Sequence, residues 1–495
     1  MPEQVPSYLP LWACLASLLA VPAILFFRRE PNIREAVTLL AGMVKFTLVL
    51  ALLPLVLGGK QAVCTLFPIL PGVPLQFRVD GPGLLFALVA SGLWIVTTLY
   101  SIGYMRGLKE HSQTRFYAFF AVSLSATLGV AFAANLLTLY LFYEMLSLAT
   151  WPLVTHHQDK EARTGGRTYL TYLLGTSIGF ALPALIFCYL RSPGSLDFSP
   201  TGFLAGKVSH VEAMVILLLF IFGFAKSGLM PFHSWLPGAM VAPTPVSALL
   251  HAVAVVKVGV FCAIRVVTGV FGTEFLKAEN LGIVVSWIAA FTVILSSLIA
   301  LSQDNLKRRL AFSTIGQLAY IVLGVSLLSP NAITGATLHI AAHAVGKITL
   351  FFCAGAIFVA TGKKYLSQME GLGRQMPLTF LAFLIGSLSV VGFPPTFGFL
   401  SKFYLVTGAY QAGQPALLTV YLVSTFLNAS YLLPPVYRAF FPREKQAPFT
   451  WSVVSEAPPF CLLPLCLTAA LTITFFFFPG VRQSGSRQKG GASET

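Results

Sequence analysis

Residues 222–237, FGFAKSGLMPFHSWLP, set one lysine inside a strongly apolar run that also holds Gly223, Gly228 and Pro231. The apolar residues make the segment a membrane span. Glycine weakens a helix interior and proline removes a backbone hydrogen bond, so the helix is expected to break beside Lys226. A break at membrane depth frees backbone groups that protein, water or charged side chains must satisfy, which makes a polar site inside the bilayer. The theme returns in residues 391–405, VGFPPTFGFLSKFYL, where Pro394, Pro395 and Gly398 precede Lys402. The lysine comes before the proline in one segment and after it in the other, so the two are not copies at motif level.

Outward from these segments the chain stays apolar. Of 495 residues, 56% are hydrophobic and 10% charged, against roughly a quarter charged in a soluble domain. A helix crosses a bilayer with about 20 mostly apolar residues. Such stretches fall at 8–27, 37–58, 83–105, 114–134, 136–155, 169–190, 212–232, 243–267, 280–301, 308–328, 334–360, 377–405, 414–437 and 458–478. They predict an all-α polytopic membrane protein with about fourteen transmembrane helices, broken in the seventh and twelfth. Residues 1–478 read as one membrane domain and 479–495 as a disordered polar tail. The N-terminus, MPEQVPSYLP, has no basic residue before its first apolar stretch, so residues 8–27 read as a retained helix rather than a cleaved signal.

The net charge of +15 does not point to nucleic acid, because the basic residues sit in short loops rather than in one run or on one helix face. Of the 32 lysines and arginines, with those at span ends (Arg115, Arg265, Arg308 and Arg309) counted to the adjoining loop, eighteen fall in the odd-numbered loops, nine on the opposite side and five deep inside spans. Cytoplasmic loops hold the basic excess, so both termini are expected outside a cell inner (plasma) membrane. Seven cysteines include no C-x-x-C pair, which supports neither an iron–sulfur nor a zinc site. No Gly-rich phosphate loop, GxSxG elbow or HExxH motif occurs. The expectation is no cofactor, no metal and no catalytic or redox site in this chain.

What the spans do contain is charge. Lys45, Lys226, Lys257, Lys347 and Lys402 are intramembrane lysines, joined by Glu144, His251, His339 and His343. Each is costly at the bilayer centre unless it faces protein or water, and is functional by default. Lys45 lies near one end of its predicted span and is expected to snorkel to the cytoplasmic surface. Glu144 is the one acid placed deep in the membrane, where a nearby lysine would keep both groups charged and couple their titrations. His251 and Lys257 stand six residues apart, about 9 Å of helix rise. In HIAAHAVGKITL, His339, His343 and Lys347 at i, i+4 and i+8 share one helix face over about 12 Å. Such a stripe can hand protons along through intervening waters, and histidine titrates in the useful range. Two histidines at i and i+4 also suit a metal, but no carboxylate or cysteine stands near them. His156, His157 and His233 lie in or near loops and read as structural or surface groups.

These residues resemble the antiporter-like membrane subunits shared by respiratory complex I, membrane-bound hydrogenases and Mrp-type cation/proton antiporters. The resemblance covers roughly residues 80–410. It rests on LFYEMLSLATWPLV around Glu144, on AKSGLMPFHSWLPGAMVAPTPVSALLHAVAVVKVGVF from Ala225 to Phe261, and on DNLKRRLAFSTIGQLAYIVLGV from Asp304 to Val325. It implies fourteen helices with external termini and two inverted five-helix repeats, here 114–267 and 280–437. It also implies a hydrated axis along the membrane's middle plane. Glu144 would pair with Lys226 and tune its pKa; His251, Lys257, His339, His343 and Lys347 would form a central relay; Lys402 would be the exit-side residue. Lysine in the twelfth helix argues against the complex I subunit that carries an acid there, and the D subunit of Mrp antiporters is the nearest group. The chain ends 17 residues after its last span, so the long lateral helix of the largest members is not expected. Gly238, in WLPGAM, departs from the acid common at that position. The implied function is proton translocation within a multi-subunit Na+/H+ antiporter, with protons and Na+ as the moving species and other membrane subunits as partners. The alternative is the proton-pumping subunit of a complex I-like NADH:quinone oxidoreductase or hydrogenase, with redox chemistry on partner chains.

Overall fold

The computed structural model describes residues 3–249, 253–442 and 454–478. His251, Arg443, Lys445 and the tail 479–495 lie outside them. In chain order come β1 (Glu3–Pro6), α1 (Leu9–Phe26), α2 (Pro31–Leu50), α3 (Leu53–Leu57), β2 (Lys60–Leu70), β3 (Val73–Val79), α4 (Gly81–Gly107), α5 (Gln113–Ala131), α6 (Leu136–Val154), α7 (Lys160–Thr176), α8 (Leu182–Arg191) and α9 (His210–Gly223). There follow α10 (Trp235–Gly238), α11 (Thr244–Leu249), α12 (Val255–Arg265), α13 (Thr273–Ala278), α14 (Gly282–Ser302), α15 (Leu306–Ser326), α16 (Pro330–Thr361), α17 (Pro377–Val391), α18 (Phe397–Gln411), α19 (Pro415–Phe440) and α20 (Pro459–Phe477). Among the described residues, eleven helical stretches are long and apolar enough to cross a membrane, and α9 and α17 are shorter apolar helices. The protein is a multi-pass helical membrane protein.

Local chemistry sets the helix ends. Asn135 and Asp159 cap α6 and α7 by accepting from the Thr138 and Ala162 backbone N–H groups at 2.8 and 2.7 Å, supplying partners for donors that have none inside the helix. The helix opening at Lys160 takes in Lys160, Arg163 and Arg167, which the span list leaves in a loop. The predicted twelfth span is two helices, α17 and α18, and the predicted seventh ends at Gly223. One feature is absent from the all-helical expectation: β1, β2 and β3 form a small sheet, β1 parallel and β3 antiparallel to β2, with Ala62 opposite Val79 and Cys64 opposite Phe77. β1 precedes the first span, and β2 and β3 fall in the connection between the second and third, where a search for 20-residue apolar runs finds nothing.

The core is built around α15 and α16. Every residue from Leu310 to Ser326 is buried, as befits a helix apolar all round. α16 packs against α4, α11, α15, α17, α18 and α20. At the sheet end, Asp80 caps α4 through the Gly83 N–H at 2.9 Å and receives both terminal nitrogens of Arg265, one of them at 2.8 Å. This bidentate pair ties the start of α4 to the end of α12. Burial alone would raise the Asp80 carboxyl, but the Arg265 guanidinium more than offsets it and holds the group below the usual carboxylate range.

Lys45 does not snorkel. It is fully buried, with Nζ donating to the carbonyls of Leu124 at 3.4 Å and Cys14 at 3.5 Å. The helix begins at Pro31 rather than residue 37, so about 21 Å of rise separates Lys45 from that end, beyond the reach of its side chain.

α12 comes against the chain that leaves α9 because residue 259 is glycine. A Cβ there would stand 2.0 Å from the Ser227 nitrogen and 2.2 Å from the Lys226 carbonyl carbon. Two outcomes follow. Gly259→Ala should push Lys226 and Ser227 away and lower stability by about 1–3 kcal/mol, read as a lower Tm in detergent. Asp80→Asn should lower stability by about 1–3 kcal/mol at pH 7. Because the folded carboxyl titrates below its unfolded value of about 3.9, that stabilisation is present above pH 4 and is lost as pH falls through the folded value. Wild type and variant should therefore converge only below about pH 4 in a Tm-against-pH series.

Candidate functional site

α9 stops at Gly223, a single 3-10 turn spans Ala225–Ser227, and Gly228 turns the chain away at φ +70°. The freed backbone groups are met from outside. The Trp235 indole N–H donates to the Ala225 carbonyl at 2.9 Å, the Lys226 N–H to the Tyr143 hydroxyl at 3.3 Å, and the Met230 N–H to Thr292 Oγ1 at 3.2 Å. Such outside partners are required where no water competes. Lys226 itself is fully buried. Its Nζ donates to the Tyr143 carbonyl at 2.8 Å and to Ser147 Oγ at 2.6 Å, and lies 3.1 Å from the centre of the Tyr143 ring. The ammonium also follows the C-terminus of α9, where the helix dipole favours a cation.

Glu144 stands on α6 between Tyr143 and Ser147, yet its carboxylate does not approach Lys226 within 4.0 Å, and neither oxygen has a hydrogen-bond partner. The nearby Ser177 hydroxyl donates instead to the Leu174 carbonyl at 3.2 Å. The expected pair is thus a carboxylate on α6 and a lysine from the turn after α9 that meets Tyr143 and Ser147 on either side of it, rather than a contact ion pair.

On α12, Lys257 is fully buried and its Nζ meets His343 Nδ1 of α16 at 2.5 Å. Two nitrogens this close share one proton: a lysine ammonium donates to a neutral ring, or the ring donates to a neutral amine. The other ring nitrogen, Nε2, is buried without a partner. One turn away, the His339 ring centre lies 5.8 Å from that of His343. Its Nε2 faces Gln317 Oε1 at 3.1 Å and its Nδ1 faces Ser401 Oγ at 2.9 Å, while the same hydroxyl stands 3.0 Å from the Gly398 carbonyl. With the Gln317 amide as assigned, Nε2 donates. The hydroxyl proton then serves either Nδ1, leaving the ring neutral, or Gly398, in which case Nδ1 carries its own proton and the ring is an imidazolium. His339 can therefore gain or lose a proton without moving its heavy atoms. Lys347, also fully buried, donates to the Leu310 carbonyl at 3.3 Å.

The second break mirrors the first in its chemistry. α17 ends at Val391, and Lys402, adjoining Ser401 on α18, reaches back to the Val391 carbonyl at 3.1 Å. Its Nζ lies 4.7 Å from the centre of the Tyr320 ring, which stacks on His339 at 5.8 Å. Both break lysines thus sit over a tyrosine face and at the C-terminal end of a half-helix.

The stripe His339, His343 and Lys347 lies on one face of α16, but its members turn to different neighbours: His339 to α15 and α18, His343 to α12, and Lys347 to α15. His251 lies outside the described residues. Five side chains that carry these contacts were not singled out from the sequence: Tyr143, Ser147, Gln317, Tyr320 and Ser401. Gln317 had a signal, being a lone amide in the middle of an apolar span. His156 and His157 stand away from this row, with Glu110 and His111.

Comparison with known proteins identifies the family. Residues 133–428 match the family described as NADH:quinone oxidoreductase/Mrp antiporter, TM. The chain is 34% identical over 381 residues to NADH-quinone oxidoreductase subunit N of Desulforudis audaxviator, covering 74% of this chain and 73% of that one. It is 31% identical over 444 residues to Na(+)/H(+) antiporter subunit A1 of Staphylococcus aureus, covering 83% of this chain and 53% of that protein, about half its length. Among solved structures, the fold is similar to a chain of the membrane-bound sulfane sulfur reductase, an archaeal respiratory membrane complex (TM-score 0.84, 22% identity, 96% of this chain and 95% of that one). It is likewise similar to a chain of the Mrp complex from Dietzia sp. DQ12-45-1b (TM-score 0.82, 20% identity, 95% and 94%). A break lysine on each of two interrupted helices, a buried lysine–histidine contact between them and a family match across that same region place the chain in the NADH:quinone oxidoreductase/Mrp antiporter membrane-subunit family.

Proposed function

We propose that this chain is the proton-translocating subunit of a multi-subunit Na+/H+ antiporter of the Mrp type. The observation that carries the reading is the hydrogen-bonded contact between Lys257 Nζ and His343 Nδ1, at 2.5 Å, which joins two titratable groups from two helices in the protein interior. Lys226 loads a proton under the influence of Glu144; the proton passes by Lys257, His343, His339 and Lys347, with His251 as a further member; Lys402 releases it. Waters bridge the gaps between these groups. The inverted repeats 114–267 and 280–437 are supported by the two breaks, each with its lysine at a half-helix end. The basic loops support external termini in a cell inner membrane.

Partner subunits are supported by the surface of α6. Leu141, Leu148 and Trp151 share a face with Glu144 and are exposed at 41%, 57% and 41%, an apolar surface for a neighbouring subunit to cover, while the Glu144 oxygens are already buried within this chain. The D-subunit assignment remains part of the proposal, since the antiporter relative above is an A subunit. A second reading, the pumping subunit of a quinone oxidoreductase-like complex, is favoured by the 34% identity to subunit N.

Everted vesicles holding the assembled complex separate the two: Na+-dependent dissipation of a pH gradient indicates antiport, whereas acidification that needs an electron donor and no Na+ indicates the redox pump. In either case Lys226→Ala should cut proton movement by about a hundredfold, and full activity would remove Lys226 from the path. His343→Leu should slow transport comparably while leaving Tm and elution profile intact. Gln317→Leu, which strips the acceptor from His339 Nε2, should slow it by roughly tenfold, measured as the initial rate of pH change.

A further inference from the structure

Outside the lysine row, the loop joining α4 to α5 and the loop joining α6 to α7 meet at the basic-loop end of the protein. The first is shaped by Lys109 and Ser112 and the second by Gln158, all in the left-handed backbone region. Between them stand one carboxylate and three imidazoles. Glu110 Oε2 lies 3.6 Å from His157 Nδ1, 3.8 Å from His156 Nε2 and 3.9 Å from His111 Nδ1. Ligand atoms of Glu110, His111 and His157 all lie within 4.8 Å of one another. The His156 ring centre is 4.9 Å from that of His111 and 5.6 Å from that of His157.

His156 shows that the cluster is more than a surface ion pair. Its side chain has no exposure, and neither ring nitrogen has a hydrogen-bond partner, although the ring lies beside the His111 backbone. A buried imidazole with both nitrogens unmet is costly, and Nε2 points at the one acid of the cluster. The neighbouring Arg115 is occupied, donating to the His156 carbonyl at 2.8 Å.

We propose that Glu110, His111, His156 and His157 bind a divalent transition metal, with Zn2+ as the ion the ligand set fits. Three imidazoles and a carboxylate supply four nitrogen and oxygen donors, the number a tetrahedral zinc takes. With bonds of about 2.05 Å, neighbouring ligand atoms in such a site stand roughly 3.3 Å apart; the Glu110 oxygen is already 3.6–3.9 Å from each imidazole, Glu110, His111 and His157 gather within 4.8 Å, and His156, outside that trio, swings in as the fourth ligand. His111 and His157 are 51% and 32% exposed and leave an entry path. An ion here joins the α4–α5 loop to the end of α6, the helix that bears Glu144.

Calorimetric titration of the metal-stripped full chain in detergent with Zn2+ tests this, with Co2+ as the spectroscopic substitute. The expected result is one Zn2+ per chain, the visible absorption of tetrahedral Co2+, and a rise in Tm reversed by chelator. Glu110→Gln, close to isosteric, and His111→Ala with His157→Ala should each weaken Zn2+ by at least about tenfold. His210→Ala, which removes a surface histidine paired with Glu279 at 2.8 Å, should leave binding unchanged. Absence of stoichiometric Zn2+ binding, equal affinity for Mg2+, or binding indifferent to Glu110→Gln and to the histidine pair would overturn the site and leave an ion-pair cluster.

Discussion

An unmet polar group inside a membrane has no water to turn to, and the lysine side of this structure follows from that. Breaking α9 beside Lys226 frees backbone carbonyls and N–H groups, and Trp235, Tyr143 and Thr292 take them up. The ammonium is then held by the Tyr143 carbonyl and Ser147. The contacts come from three separate elements, so the break is stable only when α6, α10 and α14 are in place around it. Gly259 completes the arrangement by letting α12 lie against the same turn. A polar site of this kind cannot be local: it needs a large helical bundle to satisfy it.

The interior between the breaks shares that economy of partners but leaves room for protons to move. Lys257 and His343 have one proton between them. His339 has a hydroxyl that satisfies either of its charge states. Had each nitrogen a dedicated partner, moving a proton would require breaking a hydrogen bond in a low-dielectric interior, where that is most costly. Sharing and alternation lower that requirement. The unmet Nε2 of His343 is the place where a bridging water is needed most, being a polar atom with a partner on only one side of its ring.

Membrane character, helix breaks and the lysine–histidine row were readable in the sequence because each is expensive: a lysine in an apolar span, or glycine and proline inside a helix, stands out against its surroundings. What was not readable has a common cause. Ser147, Ser401 and the tyrosines are tolerated in spans for many reasons, and only tertiary contact distinguishes those that touch a lysine. Lys45 was misread because its distance from the membrane edge depends on where α2 begins, and Pro31 opens that helix six residues before its apolar run. The histidines at 156 and 157 looked like loop residues because their partners, Glu110 and His111, are over forty positions away and meet them only once two loops fold together.

The separation of Glu144 from Lys226 is the feature that most changes how the first break works. A contact ion pair would lock both charges, since removing either leaves the other buried and alone at a cost of about 3–5 kcal/mol. Beyond contact the influence persists in softened form: at an effective dielectric of about 20, unit charges 8 Å apart still interact by about 2 kcal/mol. An interaction of that size corresponds to more than a tenfold change in a protonation equilibrium, and no hydrogen bond has to break for it to act. Lys226 has ligands of its own, the Tyr143 carbonyl and Ser147, and Glu144 is not among them. The carboxylate oxygens are buried, yet they belong to the face of α6 that bears exposed Leu141 and Leu148, so the field at Lys226 is set from a position that no ligand of Lys226 occupies.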